Sequence, residues 1–122
     1  PMSGLDDPAE FARRWTAAWN AHDVEAVLRL FHDDVVFTSP LAARVMPESG
    51  GVVRGKEALR DYWTAALAER PGLQFELTGI QAGIDSLLII FRHPGGPERL
   101  DALRLRDGLA FEGHGTYPVP LD

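Results

Sequence analysis

"SLLIIFRHPGGPERLDALRLRDGLAFEGHGTY", residues 86–117, alternates apolar and polar residues through three runs separated by "PGGPE" and "RDG". A period of two marks β-strands, and Gly- and Pro-rich breaks of this length mark the turns of an antiparallel meander. The runs 86–93, 99–106 and 109–117 are therefore strands, and "LQFELTGI" (73–80) adds one before them. Within 99–106, Leu103 and Leu105 share one face with Asp101 and Arg99, while Arg104 and Arg106 take the other. A carboxylate on the apolar side of a strand is costly unless it is paired, hydrogen-bonded or protonated. Asp101 is thus the first candidate for a functional group.

Upstream, the period changes to that of helices. Asp7-Pro8-Ala9-Glu10 carries a cap, a first-turn proline and a capping-box spacing, followed by the stripe Phe11, Trp15, Ala18, Trp19. Asp23 caps a second helix bearing Val27, Leu28, Leu30 and Phe31, which "HDD" (32–34) breaks. "VVFTSP" (35–40) reads as a strand ended by Pro40, and residues 41–54 as a loop or irregular hairpin with "GVVR" as a short strand. A third helix covers roughly 56–69, with Tyr62 and Trp63 on its inward side, and Arg70-Pro71-Gly72 stops it. The class is α+β: three helices on one face of a strongly bent, mainly antiparallel sheet.

The totals narrow the function. The chain has 122 residues, which suits a single domain spanning 1–122 with one core. Pro1 ahead of Met2 reads as a cloning scar, and residues 1–6 as disordered or tag-derived. With 12 Lys+Arg against 18 Asp+Glu the formal charge is −6, the wrong sign for a nucleic-acid or anionic-membrane partner. The absence of cysteine excludes disulfides, thiolate metal sites and thiol nucleophiles. No run reaches membrane-spanning length and no signal peptide is visible, so the expectation is a soluble cytoplasmic protein. His22, His32, His93 and His114 are scattered without metal-ligand spacing, so no metal is expected. Of the four, His93 alone falls at a strand end on the inward side. Gly50-Gly51 and Gly95-Gly96 are turn glycines and not a phosphate loop, and no cofactor is implied.

The order of these elements, with "WNAHD" (19–23), "LFHDDVVFTSP" (30–40), "GKEALRDYW" (55–63) and a closing "RDG…Y", resembles the nuclear transport factor 2-like superfamily. Within it, the SnoaL-like polyketide cyclase branch is the most similar, with ketosteroid isomerases and limonene epoxide hydrolases as cousins. The resemblance covers nearly the whole chain after residue 8. It implies a cone, a cystatin-like α+β barrel in which a bent sheet wraps the helices around a pocket, and frequent homodimers packed through the outer sheet face. Val36, Leu88 and Ile90 would lie on that outer face.

Placed in such a cone, the inward parity gathers Phe75, Leu77, Leu87, Ile89, Phe91, Asp101, Leu103, Leu105, Phe111, Gly113, Gly115 and Tyr117. The candidate catalytic residues are Asp101, Ser39 and Tyr117. The candidate ligand-binding residues are Trp15, Trp19, Phe37, Phe75, Ile89, Phe91, Leu103, Arg99 and Gly113. Each has a second reading. Asp101 is either an acid with a raised pKa or the partner of Arg99 in an ion pair, with the long arginine expected to bend toward solvent. Gly113 and Gly115 either leave room for a ligand or mark a bend or bulge. Ser39 is a pocket hydrogen-bonder or a strand-end residue. Tyr117 donates its hydroxyl or is a packed aromatic with its OH at the rim. Trp15 and Trp19 are core or ligand platform.

By motif, Asp101 takes the place of the oxyanion-hole aspartate of ketosteroid isomerase. That enzyme's base aspartate falls on Ser39 and its tyrosine on Trp15, neither of which can do the same work. Arg99-Leu100-Asp101 resembles the Arg-x-Asp of the epoxide hydrolases, but their second aspartate falls near Gly115. Three functions follow: a cofactor-independent isomerase or cyclase acting on a small apolar carbonyl compound, a non-catalytic ligand binder, or a protein-interaction domain whose pocket side chains fill.

Overall fold

A computed structural model describes residues 7–122 of the chain. The expectation for residues 1–6 lies outside the described residues. Asp7 accepts from the Glu10 backbone N–H at 3.0 Å and opens helix α1 (Pro8–Asn20), and Asp23 does the same from Ala26 for the one-turn helix α2 (Val24–Leu28). Strand β1 (Phe31–Thr38) then leads into α3 (Pro40–Val45), a 3-10 turn at Pro47–Ser49, the short strand β2 (Val52–Arg54) and the long helix α4 (Gly55–Glu69). The meander follows as β3 (Glu76–Ala82), β4 (Ser86–Arg92), β5 (Arg99–Arg106) and β6 (Leu109–Gly115).

The six strands form one sheet in the order β2-β1-β6-β5-β4-β3. Every pairing is antiparallel except β1 with β6. The sheet curls around the helices, with α4 against β1 and α1 against β3. The core lies between them and is aromatic: Trp15 stacks on Phe75 at 5.7 Å, and Trp63 meets Trp19 and Phe31 edge-on at 5.1 and 5.3 Å. No described helix is long and apolar enough to cross a membrane.

Three sequence readings need correction. Leu30 and Phe31 are not helical. The chain is already in β1 at Phe31, and a bulge between Phe31 and Val36 turns Asp33 and Asp34 out to water, which is why "HDD" read as a break. Within 41–54 the short strand expected in "GVVR" is present as β2, but the residues before it are not a loop: Ser39 caps α3 and Pro40 occupies its first turn, the geometry proline favours. Phe111 does not face inward. A bulge opposite Arg104 and Leu105 puts Ala110 in the core and leaves Phe111 outside, beneath the guanidinium groups of Arg104 and Arg106.

Candidate functional site

A cavity of about 80 Å³ opens between α1, α4 and the concave face of the sheet. Its deep end is walled by Trp15, Trp63, Phe37 and Tyr62, all nearly buried. Its mouth is wet, edged by Arg44, Glu69, Arg70, His93, Arg99 and Tyr117. This division into an apolar interior with few polar groups and a polar rim is how small-molecule sites are built.

Asp101 sits in the interior. It is on a central strand, paired with Ile89 of β4 on one side and Gly115 of β6 on the other, so both flanks are covered by backbone. It is 7% exposed, and its Oδ1 is buried without a hydrogen-bond partner among the described residues. Burial pushes its pKa up from 3.8 to about 7, against a smaller downward pull from Arg99. Arg99 does not form an ion pair with it, nor does it bend out into solvent. The guanidinium lies over the rings of Tyr117 and Phe91, at 4.0 and 4.9 Å from their centroids, and Nε donates to the Thr116 carbonyl at 3.4 Å. Two aromatic faces and an acceptor outweigh the solvation that an extended arginine would keep.

Ser39 follows the end of β1. Its Oγ accepts from the Leu41 N–H at 3.1 Å, capping α3, and the side chain also lines the cavity. The accepting role leaves the hydroxyl proton free to be donated. Gly115 opens the floor between the two candidates: a Cβ there would stand 3.3 Å from Ser39 Oγ and 3.7 Å from Asp101 Oδ1. Tyr117 lies past the end of β6 and not within a strand, yet it still reaches the cavity, 36% exposed at the rim.

The cavity also takes in Trp19, Phe75 and Phe91. It does not take in Ile89, Leu103 or Gly113. Ile89 and Leu103 are packed in the core. Gly113 leaves room for neighbours and not for a ligand, since a Cβ there would stand 2.7 Å from Phe37 Cδ2 and 2.9 Å from Leu103 Cδ2.

Sequence reasoning missed Tyr62 as a polar group. Its hydroxyl lies in reach of Ser39, and burial pushes its pKa up to about 12, so it is a neutral donor in the cavity. The signal is its place on the inward side of "GKEALRDYW", where the phenol carries a hydroxyl as well as a ring. His93 accepts from Arg70 at 3.1 Å, and burial and the two nearby arginines hold its pKa down, keeping the ring neutral. Arg44 and Glu69 pair at 2.8 Å and tie α3 to α4 beside the mouth. Among the described residues no three His, Cys, Asp or Glu side chains cluster to hold a metal.

The SnoaL-like domain model matches residues 12–114. The chain belongs to the SnoaL-like family. A SnoaL-like protein of unknown function from Burkholderia thailandensis is 32% identical, with 98% of this chain and 100% of that one covered and a TM-score of 0.87. IdmH from Streptomyces antibioticus, proposed to be a polyketide cyclase, is 21% identical over 90% of this chain and 91% of its own, with a TM-score of 0.72. A protein with a ketosteroid isomerase-like fold from Catenulispora acidiphila, crystallised with trimethylamine, is 19% identical over 91% and 87%, at 0.68. At those identities the last two show a shared fold alone. No curated protein matches the sequence. This SnoaL-like chain thus has the cone expected of it.

Proposed function

We propose that the pocket binds a small, mostly apolar carbonyl compound, and that Asp101 exchanges a proton with it in a cofactor-independent reaction of the isomerase or cyclase type. The observation that carries this reading is Asp101 Oδ1, buried at the cavity with no partner among the described residues. Such an atom is costly to leave alone and is satisfied by a ligand that accepts its proton or donates to it. A pKa of about 7 populates both protonation states near neutrality, the condition for general acid–base work. Tyr62 and Ser39 would then orient the carbonyl oxygen, with Tyr117 closing the mouth.

The test is hydrogen–deuterium exchange of the α protons of cyclohexanone, followed by NMR in heavy water. Wild-type protein is expected to speed exchange, and Asp101→Asn, which keeps the shape and cannot titrate, to lower the rate at least about a hundredfold. Undiminished exchange in that variant would overturn the assignment. Binding that survives in both proteins with no exchange in either would make the pocket a non-catalytic binding site. The proposal extends to a homodimer through the outer sheet face.

A further inference from the structure

Most arginines of this acidic chain hold a carboxylate: Arg13, Arg14, Arg44, Arg60, Arg92, Arg104 and Arg106 each form an ion pair. Two at the cavity mouth do not. Arg99 is pinned by two aromatic faces and by its Nε, while its two terminal nitrogens have no acceptor among the described residues. Arg70 spends Nη1 on the neutral ring of His93 and has no ion pair among the described residues. Glu69, the carboxylate at the mouth, is already engaged by Arg44. A guanidinium held flat, with its outer donors free, is pre-organised for a two-pronged bond to a carboxylate.

We infer that the ligand of this pocket is a small monocarboxylate, its anionic end held at the mouth by Arg99 and Arg70 and its uncharged carbonyl end directed at Asp101. This rests on the pocket reading above. The opposite orientation would bury the ligand's charge in the apolar interior, away from both arginines, where an unpaired carboxylate is strongly desolvated. Size sets a further limit. A cavity of roughly 150 Å³ admits benzene, and this one is about 80 Å³ and open at its mouth. The ligand is therefore small and only partly enclosed, with its carboxylate outside at the exposed rim.

The probe is 4-oxocyclohexanecarboxylate, one ring with a ketone opposite a carboxylate. Its control is the corresponding carboxamide, equal in shape and uncharged. Binding is read by calorimetry and by quenching of the tryptophans in the wall. The acid is expected to bind at least about tenfold tighter than the amide, a difference that shrinks as salt is raised. Arg99→Met, which keeps an apolar stem on the rings, is expected to weaken the acid about tenfold and the amide, which loses a single neutral hydrogen bond, clearly less. Retained amide binding shows that this variant is folded. Arg29→Met, which removes the same charge from an exposed site distant from the cavity, is expected to change neither. Equal affinity for acid and amide, or an equal loss of both in Arg99→Met, would overturn the anion inference and leave the pocket reading standing. Failure of both compounds to bind wild-type protein would overturn the two together.

Discussion

Asp101 is held in a state that the folded chain would be more stable without. In the unfolded chain its carboxyl titrates at the ordinary 3.8, and in the fold at about 7. Between those values the folded protein keeps a proton that the unfolded chain releases. Stability therefore falls as pH rises through that window, is lowest above it, and is relieved below it. A shift of this size corresponds to about 4 kcal/mol between the two ends. The expected outcome concerns Asp101→Asn. The stability difference between wild type and variant, from urea titrations, should change by about 4 kcal/mol in the variant's favour from about pH 4 to about pH 8. The fixed cost of burying the amide cancels in that comparison. A difference that stays flat with pH would mean that Asp101 titrates normally and is no acid–base group. Sites that work by proton transfer are often bought at this kind of loss in stability. The residues around it explain why the loss persists: Gly115 presents no side chain that could bond Oδ1, and Arg99 has better partners on the rings of Phe91 and Tyr117.

At the scale of elements, one contact sets how α1 meets the sheet. Asn20, the last residue of α1, donates Nδ2 to the Phe75 carbonyl at 3.0 Å and accepts from the Phe75 N–H at 2.7 Å. The side-chain amide thus acts as one more strand residue, and it fixes Phe75 in the stack with Trp15. Asn20→Ala removes both bonds and leaves a partly buried peptide unpaired. Unfolding in urea is expected to show a loss of about 2 kcal/mol, together with weaker binding in the pocket. A loss within a few tenths would mean that water replaces the amide. In sequence, Asn20 showed only as a helix end, because its partner is remote in the chain. The same division runs through the rest. β4 and β5 were legible because their alternation is unbroken, and that alternation placed Asp101 inward. β1, β3 and β6 each carry a bulge, and one extra residue reverses every side after it, so Phe111 was assigned to the wrong face. α3 is hidden in the sequence because Ser39-Pro40 suits a strand end as well as a cap and a first turn. The resting places of Arg99 and Tyr62 were not legible at all, since parity gives a side and not a partner.

For the whole molecule, the two faces of the sheet are treated unequally. The concave face is covered by α1 and α4, while no described element covers the convex one. Across its centre run Leu88 and Ile90 of β4, opposite Ala102 and Leu100 of β5, with Val36 farther along on β1. All five are half-buried and not fully covered in the single chain. Toward β6 this strip is flanked by paired charges: Arg104 reaches Asp85 at 2.8 Å and Glu112 at 3.5 Å, and His114 bonds Glu112 at 2.7 Å. Charges satisfied within one chain can be brought near a second copy without leaving any unpaired, so the strip can meet itself about a two-fold axis. The proposed homodimer should therefore scatter light as twice 13.4 kDa at roughly tens of micromolar. Leu88→Glu places a charge in the middle of the strip and should return the mass to that of one chain. The described cavity opens on the concave side of the sheet, away from this strip. The monomeric variant should therefore bind 4-oxocyclohexanecarboxylate within about twofold of wild type. A wild-type mass of one chain at that concentration would remove the dimer. A dimer that survives Leu88→Glu would move the interface off this strip.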